Sequence, residues 1–444
     1  MTDWRQATAV AQGRAIGAGR LDPRELCESY LEAIAAHPDA ERIYARTTRE
    51  RARAEAEAAA GRAREGSLRG PLDGVAISWK DNVDSAGVAT EAGSCLLAGR
   101  VPETDAPVLA TATRAGLVCL GKTHLSELAF SGLGVNPMTA TPPNAHAPDL
   151  APGGSSAGAA VSTALGLASA GIGTDTGGSV RIPAAWNSLV GLRTTPGLIP
   201  TEGVVPLAAT LDTVGPIARD VEDTAALLTA LCGRQVTGET AEAPALQVAE
   251  TVVREGCDAQ VLESFEAGIE RLGRAGLPLT RDPVPEFAEA LDIAARMSSL
   301  VTFEAWRAWG ETIEAHPGVM YPMIEKRFRS GAEVTEDADN LARAALAALR
   351  DRLSARMETG PLVIMPSVAC MPPPVERLLA DEAYYSERNL LALRNTRIAN
   401  LLGLPALTLP LPGAPMTGLM LFAPPGEDNR LIATGRALER ALAS

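Results

Sequence analysis

Histidine, paired cysteine and aromatic side chains are all scarce in this sequence. The four histidines are His37, His124, His146 and His316, and no two of them have the spacing of metal ligands. Three of them stand beside prolines or in turn-like stretches, which predicts surface positions. His124 follows a predicted strand and is the one histidine considered for a functional site. The six cysteines include no CxxC pair, so we predict reduced thiols rather than a zinc site or a disulfide framework. We therefore expect chemistry with no metal and no cofactor.

Basic charge is also in deficit, with 40 lysines and arginines against 54 aspartates and glutamates and a net charge of −14. A nucleic-acid or anionic-membrane protein needs a basic face, so this balance argues against both kinds of partner. The first residues, MTDWRQATAV, lack the basic and apolar regions of a signal peptide. The longest uncharged stretch, 151–174, is rich in glycine and serine and predicts a buried helix rather than a membrane span. We expect a cytoplasmic protein that acts on a small molecule. The sequence leaves both a monomer and a homodimer as alternatives.

Three well-known motifs fail when their residues are compared with the chemistry they need. Residues 116–123 match the Walker A spacing, but the four residues between the glycines are apolar and predict a strand, not a phosphate loop. GIGTDTG lacks the third glycine of a dinucleotide fingerprint, because Thr176 stands there. A histidine-activated serine needs a G-x-S-x-G elbow, but Ala157 replaces the last glycine after Ser155, and valine and arginine follow Ser179.

Alternating helix and strand signals in the first half of the chain predict an α/β sheet. The first predicted helix follows an Asp22 cap and has Pro23 at its first position, and a second helix covers about 49–65. A strand is predicted over 75–79, with Lys80 at its carboxyl end, and the next helix is capped by Asp105 and stops at Gly116. Further strands are predicted over 117–120 and 171–174.

The chain beyond about 218 is predicted to be mainly helical before it returns to the sheet. One helix there places Val261, Phe265, Ile269 and Leu272 on a single face, and 285–358 is mostly helical as well. Because the chain then supplies further strands, we predict one large domain over 1–444 with a helical insertion. Those strands are expected at 361–368, 406–411 and 419–422, ahead of a closing helix.

Ser179 stands directly behind two glycines at the predicted start of a helix. A serine hydroxyl is a poor nucleophile until a base removes its proton, and without histidine a neutral lysine is the next common base. Burial lowers the pKa of a lysine, so Lys80 at the end of an apolar strand is a candidate. The amides of Gly177, Gly178 and Ser179 are suited to hold an oxyanion. The residues alone leave two interpretations open, a serine–lysine hydrolase and tight packing of small residues.

Four segments resemble the amidase signature family. They read PLDGVAISWKDNVDSAGVATEAGS, DAPVLATATRAGLVCLGKTHLSELAF, GGSSAGAAVSTALGLASAGIGTDTGGSVRIPAAWNSLVGLRTTPG and RNTRIANLLGLPALTLPLP. The resemblance defines a signature core over about 70–235 and a looser segment over 390–444 that returns to the sheet, and it leaves 240–385 as a variable, mostly helical region. It implies an α/β fold with a large mixed β-sheet flanked by helices on both faces.

The resemblance also implies a Ser-Ser-Lys triad. Ser179 is the expected nucleophile that forms an acyl-enzyme, Ser155 relays its proton and follows a cis peptide bond, and Lys80 is the base. The amides of Thr176, Gly177, Gly178 and Ser179 are expected to form an oxyanion hole. The side chains of Asp175 and Arg181 are expected to keep the loop in shape. Departures from the family pattern remove no member of the triad and fall at Trp79, Ala157, Trp186 and Asn187.

The implied activity is hydrolysis of a carboxamide, urea or carbamate C–N bond, with release of ammonia or an amine. One alternative is the glutaminase component of a tRNA-dependent amidotransferase, which usually carries an arginine-tyrosine-glycine step where this chain reads LIPTEGVVPLAATLDTVGP. Another alternative is a non-catalytic, ligand-binding relative. An aromatic content of only 4% favours small soluble amides over long-chain lipid amides, and substrate choice is expected to depend on residues 130–144 and 285–390.

Overall fold

One mixed sheet of eleven strands dominates the computed structural model, which describes residues 3–236 and 245–444. In chain order the strands are β1 (Tyr44–Thr47), β2 (Ala76–Lys80), β3 (Val118–Thr123), β4 (Gly171–Asp175), β5 (Val190–Arg193), β6 (Thr213–Ala218), β7 (Leu246–Ala249), β8 (Leu279–Asp282), β9 (Leu362–Pro366), β10 (Ala406–Pro410) and β11 (Gly418–Phe422). Across the sheet they pair in the order β1-β3-β2-β4-β6-β5-β10-β11-β9-β7-β8. The predicted large mixed sheet is confirmed.

Helices cover the sheet, and the burial of its strands shows that they cover both faces. Every residue of β2, β4, β9 and β11 is buried, although neighbouring side chains of a strand point to opposite faces. The helices are α1 (Ala9–Gly17), α2 (Pro23–Ala36), α3 (Ala40–Ile43), α4 (Arg49–Glu65), α5 (Pro107–Arg114), α6 (Ala157–Ala164), α7 (Arg181–Trp186), α8 (Val221–Cys232), α9 (Ala259–Arg274), α10 (Pro285–Arg296), α11 (Val301–Ala315), α12 (Pro322–Arg329), α13 (Glu336–Thr359), α14 (Val375–Ala380), α15 (Glu382–Arg394), α16 (Thr396–Leu401) and α17 (Asp428–Ala443).

The predicted starts of two helices have different outcomes. Asp22 caps α2 as predicted, because its carboxylate accepts a hydrogen bond from the Arg24 amide and Pro23 opens the helix. The prediction for Asp105 is wrong, since α5 begins at Pro107 and has no side-chain cap. The Asp105 carboxylate instead pairs with Arg51 of α4 at 2.8 Å. The side chain therefore forms a tertiary ion pair and not the helix cap that the local sequence predicts.

Parallel pairing of β2, β3 and β4 determines where the polar residues at their ends meet. Lys80 ends β2 opposite Thr123 of β3, and Trp79 pairs with Ile172 of β4. The carboxyl ends of parallel neighbours lie at one edge of a sheet, which is where α/β proteins build their sites. β3 includes the apolar residues of the Walker A match and continues to Thr123, so the interpretation of that segment as a strand is confirmed.

Residues 245–385 are mostly helical, as predicted, and they also contribute three strands to the sheet. β7 pairs in parallel with both β8 and β9, and β9 joins the rest of the sheet through β11. The strands β7 and β8 were not predicted from the sequence, because each has only four residues and most of β8 is exposed, which leaves no run of alternating apolar residues. The predicted apolar face of α9 is buried at all four positions, Val261, Phe265, Ile269 and Leu272.

The small residues of α6 allow that helix to approach its neighbours closely. A Cβ on Gly158 would lie 2.5 Å from the backbone oxygen of Ile43, and one on Gly171 of β4 would lie 2.4 Å from that of Ala159. Such contacts exclude any larger residue, so the tight packing predicted for this segment is real and holds the start of α6 beside β4. In the part of the chain that the structure describes, no helix combines the length and apolar character needed to cross a membrane.

Candidate active site

Lys80 is fully buried at the carboxyl end of β2 and contacts two hydroxyl groups. Its Nζ lies 2.7 Å from Oγ of Ser155 and 2.7 Å from Oγ1 of Thr174, and Nδ2 of Asn82 donates to the same Thr174 hydroxyl at 3.1 Å. The predicted pair of Lys80 and Ser155 is therefore in contact. Thr174 and Asn82 were missed, although Asn82 closes the KDN motif and Thr174 is the penultimate residue of β4.

Burial lowers the pKa of Lys80 to about 7, although the negative charges of Asp212 and Asp175 act in the opposite direction. An ammonium group is expensive to remove from water, and the hydroxyl groups around Nζ carry no charge to offset that loss. The amine is consequently neutral in a large fraction of molecules near pH 7. A neutral amine has a free electron pair and can accept a proton, which the ordinary lysine ammonium cannot.

The segment that carries Ser155 is held by backbone hydrogen bonds on both sides. The Gly154–Ser155 peptide bond is cis, as the family resemblance implies. The Gly154 amide donates to the Gly132 oxygen at 2.8 Å, and the Ser126 amide donates to the Ser155 oxygen at 3.2 Å. The amide of Ser156 donates to the Ser179 oxygen at 3.1 Å, which ties this segment directly to the loop of the predicted nucleophile.

Ser179 lies between the end of β4 and the start of α7, and only 4% of its surface is exposed. It lines a cavity together with Thr176 and Gly177 of the same loop. Gly178 has a φ of +133°, and a Cβ at that position would lie 2.0 Å from Oγ1 of Thr396. Glycine is required there, because a side chain would both strain the backbone and clash with α16.

The carboxylate of Asp175 organises the whole loop. It accepts hydrogen bonds from the Gly178 amide at 2.9 Å and the Val180 amide at 3.1 Å, and it pairs with the Arg181 guanidinium at 2.9 Å. Burial alone would raise the pKa of Asp175, but Arg181, Arg193 and the hydrogen bonds hold it well below its usual range. Asp175 and Arg181 therefore lie where loop support was predicted, and the Gly178 amide already has an acceptor.

Replacing Asp175 with asparagine should lower the free energy of unfolding by about 3–5 kcal/mol, because it leaves the buried Arg181 guanidinium without its counter-charge. Urea denaturation at pH 7 measures this change. The exposed Asp149→Asn is the matched control and should change stability by less than about 0.5 kcal/mol. Equal stabilities of Asp175→Asn and the unaltered protein would contradict the supporting role.

Asp212 is a further buried carboxylate, and no sequence motif pointed to it. It accepts hydrogen bonds from the Thr176 hydroxyl and from the Leu207 and Ala208 amides at 2.9 and 3.2 Å. Burial raises the pKa of Asp212 despite these contacts and the nearby charge of Lys80. The contact ties the loop of Ser179 to the segment before β6, and the separation of 36 residues explains why no local pattern revealed it.

No histidine is among the described residues that line this cavity. His124 is largely buried, and that burial lowers its pKa to about 4, but it does not line the cavity. No group of three or more histidine, cysteine, aspartate or glutamate side chains in residues 3–236 and 245–444 is arranged to hold a metal ion. The groups gathered at the site are an amine, hydroxyls and backbone amides.

Comparison with known proteins identifies the family. The model of the family described as Amidase matches residues 25–432. The chain belongs to the amidase signature family. Similar proteins include a 2-amino-5-chloromuconic acid deaminase from Comamonas testosteroni, 35% identical over 95% of this chain and 94% of its own length. The GatA-type component of a glutamyl-tRNA(Gln) amidotransferase from Anaeromyxobacter dehalogenans (strain 2CP-C) is 32% identical over 97% of this chain and 95% of its own length.

The fold of this amidase is that of a solved relative. A crystal structure of an amidase, 30% identical in sequence, superposes with a TM-score of 0.88 and covers 98% of this chain and 100% of its own. The predicted family and fold are thus confirmed along nearly the whole sequence. The protein is an enzyme, a hydrolase that acts on amide carbon–nitrogen bonds.

The cavity of this amidase takes part of its wall from the regions that were predicted to determine substrate choice. Phe130 and residues of α10 to α12 contribute to that wall. Two arginines that were not predicted, Arg327 and Arg397, also line it. The remaining wall is mostly apolar, with Leu207, Leu211, Val301, Leu393 and Leu401.

Proposed function

We propose that this amidase hydrolyses a small carboxamide through an acyl-enzyme on Ser179, which Lys80 activates by way of Ser155. The observation that supports this most directly is the fully buried amine of Lys80, 2.7 Å from the Ser155 hydroxyl, at the sheet edge where Ser179 lines the cavity. A desolvated amine beside a hydroxyl has no structural purpose that an apolar residue would not serve better, since an unpaired buried charge destabilises a fold.

In the proposed first step, the neutral amine of Lys80 takes the proton of Ser155 as Ser155 takes the proton of Ser179. Oγ of Ser179 forms a bond to the amide carbon, and the carbonyl electron pair moves to oxygen. The C–N bond then breaks, its electron pair stays on nitrogen, and the proton returns from Lys80 through Ser155 to that nitrogen. Ammonia or an amine leaves, and Ser179 carries the acyl group as an ester.

Water releases the product by the same route. It loses a proton to Ser155 and Lys80, attacks the ester carbon, and the bond to Oγ of Ser179 breaks. The proton returns to Oγ, and a carboxylic acid departs with the enzyme unchanged. No redox step, metal or cofactor enters this scheme.

The oxyanion formed in both steps needs backbone donors within the loop. The sequence predicted Thr176, Gly177, Gly178 and Ser179 for this role. We assign it to Thr176, Gly177 and Ser179, because the Gly178 amide donates to Asp175 at 2.9 Å and holds the loop instead.

Ammonia or amine release from a panel of small amides, ureas and carbamates tests the proposed function. A fluorophosphonate should transfer its phosphonyl group to Oγ of Ser179 with loss of fluoride and of the hydroxyl proton, as expected for a nucleophile that forms an acyl-enzyme. The peptide that contains Ser179 should then carry the mass of that phosphonyl group. A protein that binds amides without releasing acid or reacting with the probe would be a non-catalytic, ligand-binding relative.

The rate should rise with pH through neutrality. Because Lys80 acts as a base only when neutral, and its pKa is about 7, kcat/KM should level off above that pH and fall about tenfold per pH unit below it. A pH–rate profile measured with a neutral amide isolates this ionisation from that of the substrate. A profile that is flat from about pH 5 to 9 would exclude Lys80 as the base.

Two relatives suggest further activities. The full-length similarity to the amidotransferase component favours glutamine as an ammonia donor, which predicts glutaminase activity and copurification with partner proteins. The full-length similarity to a deaminase favours loss of ammonia from an amino-substituted unsaturated acid. Including glutamine and such an acid in the same ammonia-release panel separates both from a stand-alone amidase.

A further inference from the structure

The cavity beside Ser179 is lined by positive charge that has no carboxylate partner among the described residues. Arg327 of α12 and Arg397 of α16 both line it. Among the described residues, neither guanidinium forms an ion pair with a carboxylate, and the Nε atom of each is buried without a hydrogen-bond partner. Both residues are only partly buried.

Two other arginines in the same region of the fold have a carboxylate partner. Arg181 is fully buried and bonded to Asp175. Arg329 follows Arg327 by two residues on the same helix, and it pairs with Glu325 at 2.7 Å. Carboxylate partners are therefore present for some arginines of this region, whereas neither cavity arginine has one among the described residues.

Burial disfavours the charged form of both guanidiniums. Burial lowers the pKa of Arg327 to about 10, and the charge of Arg397 adds to this effect while Tyr385 opposes it. Burial also lowers the pKa of Arg397, together with the charge of Arg394. An arginine remains charged at pH 7 despite burial and a neighbouring positive charge. The two guanidiniums therefore give the cavity a positive charge that a bound anion would neutralise.

One face of Arg327 is already fixed. Its Cζ lies 4.5 Å from the centre of the Phe130 ring, so the guanidinium stacks on an aromatic surface and leaves its N–H groups at the edge for other partners. A planar guanidinium offers two parallel N–H donors, the arrangement that matches a carboxylate. Stacking of this kind orients a donor in advance of binding and so reduces the entropy that binding must overcome.

We propose that the substrate is a small amide that carries a carboxylate at its other end, with that carboxylate bound between Arg327 and Arg397. A half-amide of a short dicarboxylic acid has this structure. The proposal rests on the proposed function for the position of the amide, which lies at Ser179, while the apolar cavity wall covers the carbon chain between the two ends. A phosphate group is the other anion that guanidiniums bind, and a direct comparison of the two anions in binding separates them.

Three chemically matched amides test the preference. They are malonamic, succinamic and glutaramic acid, each compared with the neutral diamide of the same length. For the best length, kcat/KM should exceed that of the diamide by about 10- to 100-fold, the effect of a charged hydrogen-bonded contact. Equal values for half-amide and diamide at every length would overturn the proposal.

Variants of the two arginines identify the contact. Arg327→Met and Arg397→Met should each remove most of the preference for the half-amide over the diamide of the same length. Arg329→Met, on the exposed side of the same helix, is the matched control and should leave that preference unchanged. Since neither cavity arginine has an internal counter-charge, both variants should keep or raise the melting temperature, whereas a purely structural role predicts a lower one.

Binding to Ser179→Ala by calorimetry separates this inference from the proposed function. Succinamate should bind more tightly than succinamide and than inorganic phosphate, and Arg327→Met in the same background should remove the difference. If that result appears without turnover of any amide, the carboxylate site stands and the proposed function fails. If neutral amides are hydrolysed but carboxylates bind no better than diamides, or phosphate binds more tightly, the proposed function stands and the carboxylate site is rejected.

Discussion

Replacing Ser179 with alanine should abolish amide hydrolysis and lower kcat by about 10⁴- to 10⁶-fold, as loss of a catalytic nucleophile does elsewhere. The methyl group that replaces the hydroxymethyl group cannot form a bond to the carbonyl carbon. The variant should fold, because Ser179 contributes its backbone oxygen, and not its hydroxyl, to the hydrogen bond with Ser156. Ammonia release from the best amide measures the effect.

Ser169→Ala is the matched control for that variant. Ser169 is also buried, but its hydroxyl bonds to Tyr30 at 3.1 Å and to Gln12, in the N-terminal part of the chain. We expect unchanged kinetics and a loss of about 1 kcal/mol in stability. Ser179→Ala protein that still hydrolyses amides at the original rate, or that still reacts with a fluorophosphonate at this loop, would require another nucleophile.

Replacing Lys80 with methionine should lower kcat by at least about 10⁴-fold, because the scheme then lacks a base for the proton that Ser155 relays. The same change should make the protein more stable. In the unfolded chain the lysine pKa is about 10.5, and in the folded protein it is about 7, so between these values only the unfolded chain holds the proton. The penalty on folding is greatest below pH 7 and disappears as the pH rises toward 10.5.

Urea denaturation at pH 7 should therefore show Lys80→Met to be more stable by about 2 kcal/mol, after allowance for its two lost hydrogen bonds. Lys122→Met is the matched control. Lys122 is also fully buried, but it lies 3.4 Å from Asp81 and donates to Thr90, so its removal should reduce stability and leave activity intact. Lys80→Met that is both less stable and still active would contradict its proposed role.

Local motifs were sufficient to find the residues whose chemistry depends on their immediate neighbours. Ser179 was identified by the glycines before it, and Lys80 by its position at the end of an apolar strand. Family resemblance added the role of Ser155, which also follows two glycines but which no local pattern distinguished as a proton relay. For Asp105 the local pattern gave a wrong prediction. Its sequence context is that of a helix cap, but its carboxylate accepts a hydrogen bond from Arg51, which lies 54 residues earlier.

Residues that act through distant partners could not be found from the sequence. Asp212 reaches the loop of Thr176 from 36 positions away, and Asn400 donates to Asp175 across 225. Arg327 lies in a segment with no motif, and Arg397 lies in a segment that resembles the family but gave it no predicted role. The folded chain was needed to show that both line the cavity of Ser179.

The family, the α/β sheet and the identity of the proposed amine and hydroxyl groups could all be inferred from the order of the residues, because glycine loops, strand ends and apolar periodicity are local properties. The protonation of Lys80 and the charge of the cavity emerged from the folded chain instead. The pKa of an amine depends on how completely other elements exclude water from it, and an arginine is free or paired according to what the fold places beside it.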